Sequence, residues 1–208
     1  MTPEPQASDG DLLRSMIAGD EHAFVALYRR RQGAIYRFAL QMTGNPGLAE
    51  EITQEVFMTL IREMKAFDPA RGTLGGFLYG ICRNHVLRYV AEESPYVGFP
   101  ETSSEGGNGF TEPAALSDLL SDLAEAETVE RVRRAVLTLP PHHREAVVLC
   151  DLHEMSYEQA AGVLGCPVGT VRSRLHRARE LLLAKLKRVA AAPTARADSA
   201  PRHIERSL

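Results

Sequence analysis

SYEQAAGVLGCPVGTVRSRLHRARELLL, residues Ser156–Leu183, holds two helices and the break between them. Ser156 followed three residues on by Gln159 is a capping box, which places a helix start there. Gly165 ends that short helix, and Pro167, which needs no N–H in a first turn, opens the next. Two helices separated by so tight a break read as a helix-turn-helix. Around the second helix, at 3.6 residues per turn, Val168, Val171, Leu175, Ala178 and Leu182 share the arc that packs inward. Thr170, Ser173, His176, Arg177 and Glu180 point outward, with Arg172 and Arg174 at the edges. Hydroxyls and guanidiniums on one exposed face suit a major groove, where Arg pairs with guanine edges and phosphates.

The rest of the chain tests whether a DNA reader is plausible. A length of 208 residues allows two small domains, and 44% apolar content supports real cores. The absence of Trp and the few aromatics favour a small all-α protein. A net charge of −3 looks unpromising for a DNA binder, but it is unevenly split. Residues 1–130 carry ten Lys/Arg against twenty Asp/Glu, and residues 131–208 carry fourteen against seven. The halves therefore face different partners. Cys82, Cys150 and Cys166 form no CxxC pair and are odd in number, which fits reduced thiols in the cytoplasm. No apolar run approaches membrane-spanning length, and the N-terminus lacks a signal peptide's apolar core.

LPPHHREAVVLCDLHEMSYEQAAGVLGCPVGTVRSRLHRARELL, Leu139 to about Leu182, resembles the C-terminal promoter-reading domain of extracytoplasmic-function sigma factors. S-Y-E-Q-A-A and G-T-V-R-S-R-L in this order make the resemblance specific. It implies a sigma region 4-like domain over 118–188 that reads a duplex −35 element. Ser156, Tyr157, Thr170, Arg172, Ser173, Arg174, His176, Arg177 and Arg179 are its expected contacts.

Upstream, Asp9 or Asp11 caps a first short helix through Ala18, and a second runs from about Glu21 to Met42. It carries Phe24, Leu27, Tyr28, Ile35, Phe38 and Leu40. The cluster Arg29-Arg30-Arg31 within it reads equally as a solvated face or a phosphate contact. Gly44-Asn45-Pro46 then punctuates the chain, Asn45 as N-cap and Pro46 in the first helical position. The following helix buries Leu48, Ile52, Val56, Leu60 and Met64. Glu51, Gln54, Glu55 and Arg62 share its other face with Met58, an exposed apolar side chain that signals a partner. AEEITQEVFMTL resembles the sigma segment that docks on the largest polymerase subunit, so these five residues are the expected polymerase contacts.

Phe67 to Gly72 reads as a loop, with Thr73 capping a helix from Leu74 to about Val90. Leu74, Phe77, Leu78, Ile81 and His85 form its expected buried arc, His85 as a core histidine rather than a ligand. FDPARGTLGGFLYGICRNHVLR resembles the family's promoter-melting segment, where a loop and helix hold the separated non-template strand. A base turned out of the stack needs a pocket, and its phosphates need cations. The resemblance names Lys65, Phe67, Arg71, Thr73, Phe77, Arg83, Asn84 and Arg88 for the single-stranded −10 element. Two positions depart from the family: Phe77 replaces the usual Trp, and Arg88 replaces a usual acidic residue.

Residues 9–91 thus form a region 2-like domain, residues 92–117 a flexible acidic linker, and 189–208 a disordered tail. A helix from about Asp118 to Leu139 carries Leu119, Leu123, Val129, Val132 and Val136, and the next runs from Pro140-Pro141 to Leu152. His142, His143, Cys150 and His153 fit no standard metal spacing, so neither metal nor cofactor is expected. No Walker loop, GxSxG elbow or HExxH motif is present, and an enzyme is not expected. The resemblance implies a dissociable polymerase subunit that binds core RNA polymerase and promoter DNA and is restrained by an anti-sigma factor. The rival is a polymerase-independent helix-turn-helix regulator whose acidic half binds a protein. The TQEVF and RGTLGGFLYGICRN segments argue against it, since a plain repressor needs no strand-capturing segment.

Overall fold

The computed structural model describes residues 7–93 and 126–191, and every regular element among them is helical. The all-α expectation therefore holds. None of these helices is long and apolar enough to cross a membrane.

The first helix, α1 (Asp9–Ile17), is capped by Ser8 rather than by either aspartate. Ser8 Oγ accepts from the Asp11 N–H at 3.2 Å, and the Asp11 carboxylate accepts in return from the Ser8 N–H at 3.0 Å. Aspartate in this reciprocal position acts as Glu does in the usual box, which moves the cap one residue upstream. Asp20 caps α2 (Glu21–Thr43) by accepting from the His22 and Ala23 N–H groups, and Gly44 ends it in the left-handed region at φ +71°. Asn45 then accepts from the Leu48 N–H at 3.2 Å and starts α3 (Pro46–Glu63). Its buried face is the expected one, widened by Ala49, Thr53 and Phe57, with Met64 half-buried beyond its end.

Two short 3-10 turns, Met64–Ala66 and Pro69–Arg71, lead into α4 (Leu74–Glu93). Thr73 Oγ accepts from the Gly76 N–H at 3.1 Å, as a cap there should. The buried arc of α4 differs from the expected one. Leu74, Leu78 and Ile81 are buried, but Phe77 and His85 are only half-buried, and Tyr79, Cys82 and Val86 take the remaining core positions. The reason is that α4 is packed on more than one side, against α2 and α3 and also against the C-terminal helices. Its apolar surface is consequently broad rather than a single stripe.

The second group comprises α5 (Ala126–Leu137), α6 (Pro141–Val147), α7 (Tyr157–Leu164) and α8 (Val168–Ala191). The expected start of α5 at Asp118, residues 94–117 of the linker and residues 192–208 of the tail lie outside the described residues, whereas residues 92–93 and 189–191, expected in the linker and tail, continue α4 and α8 as helix. Val132 and Val136 are buried, whereas Val129 is 45% exposed. The helix after Pro140 does not run uniformly to Leu152. It changes at Val148 into one wider π turn, Val148–Leu152, followed by Glu154 at φ +53°. Positive φ is uncommon outside glycine, and here it reverses the chain so that Ser156 can cap α7.

The two groups share one continuous apolar core. A Cβ built on Gly44 would lie 2.8 Å from Leu137 Cδ1, so α5 rests directly on the glycine that ends α2. Arg144 of α6 donates to the carbonyls of Met42, Leu137 and Leu139, tying the end of α2 to the α5–α6 turn. Phe38, Leu27, Ile35, Leu175 and Leu182 are fully buried, each contributing about 1.5–3 kcal/mol of transfer free energy.

Candidate nucleic-acid interface

The helix-turn-helix is built as its sequence requires. Ser156 Oγ accepts from the Gln159 N–H at 3.2 Å, while Gln159 Oε1 accepts from the Ser156 N–H at 3.0 Å. Gly165 closes α7 at φ +64°, and the Pro167 carbonyl accepts from the Thr170 and Val171 N–H groups at 2.9 and 3.2 Å. Pro167 therefore stands immediately before α8, as its N-cap. Val171, Leu175, Ala178 and Leu182 are buried and Val168 is half-buried, which confirms the inward arc.

The opposite face splits into two groups. Arg172, Ser173 and Arg177 are exposed. The Arg172 guanidinium sits 5.5 Å above the Tyr157 ring, a cation–π contact that holds it at the mouth of the turn. Arg177 donates to Glu180 at 2.8 Å and holds that carboxyl below its usual range. His176 Nε2 lies 3.4 Å from the same carboxylate, and Ser173 Oγ bonds back to the Thr170 carbonyl.

Arg174 and Arg179 turn inward. Arg174 Nη1 reaches Cys166 Sγ at 3.9 Å, and its charge helps to keep Glu145 ionised. Arg179 makes two hydrogen bonds to Asp151, at 2.7 and 3.2 Å, and the side chains are only 11% and 9% exposed. Contrary to expectation, Arg179 is committed to holding α8 against the π turn. The family resemblance placed it among the expected DNA contacts, but Asp151 captures it from another element.

On the other half, Phe67 and Phe77 form a tilted ring pair with centroids 5.4 Å apart. They line a cleft of about 590 Å³ together with Arg71, Thr73 and Asn84. The expected −10 residues that converge there are these five. Lys65 and Arg88 are exposed but outside the cleft lining, and Arg88 Nη2 lies 3.1 Å from His85 Nδ1. Arg83 is drawn away into an ion pair with Glu145, Nε to Oε1 at 2.7 Å. The far wall of the cleft is α7 itself, through Glu158, Gln159 and Val163.

On α3, Glu51, Gln54, Glu55, Met58 and Arg62 are all exposed on one face, Met58 to 51%. Arg62 is 3.8 Å from Glu55. Ile61, 41% exposed and three residues beyond Met58, extends the patch. That i,i+3 spacing was the available sequence signal for it. The Arg29-Arg30-Arg31 cluster has a third role, because Arg30 and Arg31 both pair with Asp9 and fasten α1 to α2.

Comparison with known proteins accords with this geometry. The Sigma-70 region 2 family matches residues 27–95, and the Sigma-70, region 4 family matches residues 129–182. ECF RNA polymerase sigma factor SigE of Mycolicibacterium smegmatis is 34% identical over 172 residues, 79% of this chain and 63% of that protein's length. ECF RNA polymerase sigma factor SigC of Mycobacterium tuberculosis is 34% identical over 173 residues, covering 83% of this chain and 88% of its own. Among solved structures, CnrH, determined in complex with the cytosolic domain of CnrY, shares the fold. The TM-score is 0.63 at 24% identity, over 86% of this chain and 97% of that one. With a capped helix-turn-helix, an aromatic cleft and both sigma regions in order, the chain belongs to the extracytoplasmic-function RNA polymerase sigma factors.

Proposed function

We propose that the chain directs core RNA polymerase to promoters by dividing the work among three faces. α8 reads the −35 duplex through Arg172, Ser173 and Arg177. The Phe67–Phe77 cleft, with Arg71, Thr73 and Asn84, takes the −10 strand after it separates. The α3 face of Glu51, Gln54, Glu55 and Met58 docks on the polymerase, which alone performs the chemistry. One observation carries this reading: a helix with exposed arginines and an aromatic-lined cleft occur in one chain. A duplex-only repressor has use for the first and none for the second.

The aromatic pair supplies a stacking surface, and the Arg71 guanidinium beside it supplies a phosphate contact. Phe77 offers a smaller stacking surface than an indole would. This reading places the working protein in the cytoplasm with its polymerase, and it includes a dissociable anti-sigma partner. The solved neighbour CnrH, which carries a second protein, is consistent with such a partner.

The test is retention of genomic DNA fragments by core polymerase with and without the chain. Fragments retained only by the pair should include a stretch reactive to single-strand probes. Fragments retained by the chain alone, with no polymerase dependence and no melted stretch, would support the repressor reading instead.

A further inference from the structure

α4 begins with a turn that its own sequence weakens. Leu74-Gly75-Gly76 follow the Thr73 cap, and glycine is the poorest helix former after proline. Bonds to Thr73 close this turn, from the Gly76 N–H to Oγ at 3.1 Å and from the Phe77 N–H to the carbonyl at 3.0 Å. Thr73 and Phe77 also line the cleft beside Phe67, so fraying of the turn displaces the stacking surface itself.

A side chain from α2 covers the open side of the turn. Arg31 Nη1 and Cζ lie 3.5 and 3.6 Å from the position of a Cβ on Gly75, so the guanidinium rests against bare glycine backbone. Alone, a cation at a helix N-terminus opposes the helix dipole. Asp9 answers that charge. Its Oδ2 accepts from Arg31 Nε at 2.6 Å, and its Oδ1 accepts from Arg30 Nη1 at 2.9 Å.

α1 in turn fixes Asp9. The Ser8–Asp11 box starts the helix at Asp9, and Arg30 donates further to the Ala7 carbonyl at 2.8 Å. Leu12, Leu13 and Met16 are buried, and α1 packs on α2, on α4 and on the Met64–Ala66 turn. The Arg31 side chain is 36% exposed, so its ion pair contributes little to the stability of the whole domain. The consequence of the pair is local, in the turn that the guanidinium touches. Asp9, Arg31 and Gly75 belong to none of the three proposed faces.

We propose that Asp9 and Arg31 are positioning residues for strand capture: they brace the glycine-weakened first turn of α4 and so set where Thr73 and Phe77 stand in the cleft. The proposal rests on the reading of that cleft as the strand site. Removing either partner frays the turn without touching a group that meets the strand. Strengthening the turn from within makes the brace dispensable.

The experiment uses the full chain as wild type, Asp9→Asn, Arg31→Met and Asp9→Asn/Gly75→Ala. Alanine at 75 favours helix, and its methyl group meets Arg31 at ordinary contact distance. Hydrogen exchange reads order at residues 73–80. Permanganate reactivity of unpaired thymines, in genomic fragments held by the chain with core polymerase, reads strand capture. Asp9→Asn and Arg31→Met should each speed exchange at 73–80 about tenfold and lower thymine reactivity in parallel. Exchange in α3 and capture of core polymerase should stay unchanged, and Gly75→Ala should return both readouts towards wild type. Unchanged exchange at 73–80 overturns the brace. Faster exchange throughout α1 to α4 that Gly75→Ala does not repair overturns it too, by making the pair a general fold contact. Exchange restored without restored reactivity overturns the link to strand capture. Higher reactivity in Asp9→Asn would show a released Arg31 acting as a phosphate cation, and would overturn the positioning role. Absence of reactive thymines with the wild type counts against the proposed function, whereas the exchange comparison still decides the brace.

Discussion

Replacing Arg179 separates a structural cation from the DNA-reading cations on the same helix. Its ion pair with Asp151 has two short hydrogen bonds and almost no solvent access, 11% and 9%. Arg179→Met preserves much of the apolar stem but leaves the Asp151 carboxylate buried without its guanidinium. Breaking such a pair costs about 3 kcal/mol when one charge remains behind. That corresponds to a fall of roughly 10 °C or more in the unfolding midpoint of a domain this size. The double variant Asp151→Asn/Arg179→Met removes the stranded charge and should recover a substantial part of the loss, giving a clear coupling in a double-mutant cycle. Calorimetry and chemical denaturation measure the stability. Binding to −35 duplex, measured cold enough to keep the variant folded, should stay within about twofold, with an unchanged salt slope. A salt slope reduced by about one, with an unchanged unfolding midpoint, would show that Arg179 contacts a phosphate.

Arg172→Ala and Arg177→Ala should behave oppositely, each weakening duplex binding by about 1–3 kcal/mol where the side chain reads a base, with small effects on stability. Loss of affinity that is uniform over all sequences would mark them as phosphate anchors. Glu51→Lys with Glu55→Lys should abolish capture of core polymerase while leaving helical content and −35 duplex binding unchanged, and retained capture would refute the docking face. Burial pushes Cys82 up to about 12 and Cys150 up to about 11, so a thiol reagent at mildly alkaline pH should modify Cys166 first and Cys82 only on unfolding. Rapid labelling of Cys82 in the native chain would contradict its 0% exposure.

His153 gives a pH dependence to the packing of the C-terminal helices on α2 and α4. Burial, and then the charge of Arg37, lower its pKa from 6.5 to about 4. Gln41, Arg37 and Phe38 of α2 and Tyr79 of α4 surround it, and no carboxylate among these groups stabilises the imidazolium. The packing therefore keeps it neutral, whereas a His153 released from it regains ordinary proton affinity. The contribution of His153 to this packing is fully present above about pH 6.5 and weakens as pH falls towards 4. Scattering should show expansion over that interval in the wild type, and the expansion should be smaller in a His153→Gln variant. Equal acid expansion in both would exclude His153 as its source.

The sequence was most legible where a local rule decided the outcome. The Ser156–Gln159 box, the Gly165 break and the Val171–Leu175–Ala178–Leu182 arc each depend on neighbours within one or two turns, and each appears as read. The same holds for Asn45-Pro46 at the start of α3. What escaped was decided by partners far along the chain. Asp151 takes Arg179, Glu145 takes Arg83, and Asp9 takes Arg30 and Arg31, although a helical wheel shows each arginine only as an available cation. The α4 arc was misjudged for the same reason. Periodicity identifies one buried stripe, but Tyr79, Cys82 and Val86 are buried because helices approach α4 from additional sides. Glu154 at positive φ has no signal in its residue type, since the turn imposes the conformation.

The central claim, that this chain makes polymerase initiate at chosen sites, is tested most directly by mapping transcript 5′ ends. Core polymerase transcribes genomic DNA from the source organism in the presence or absence of the purified chain. A set of new start sites should appear only with the chain, sharing two upstream motifs at fixed spacing. Glu51→Lys/Glu55→Lys should eliminate the whole set. Bound DNA without any new start site would contradict the account and leave the chain a DNA-binding regulator.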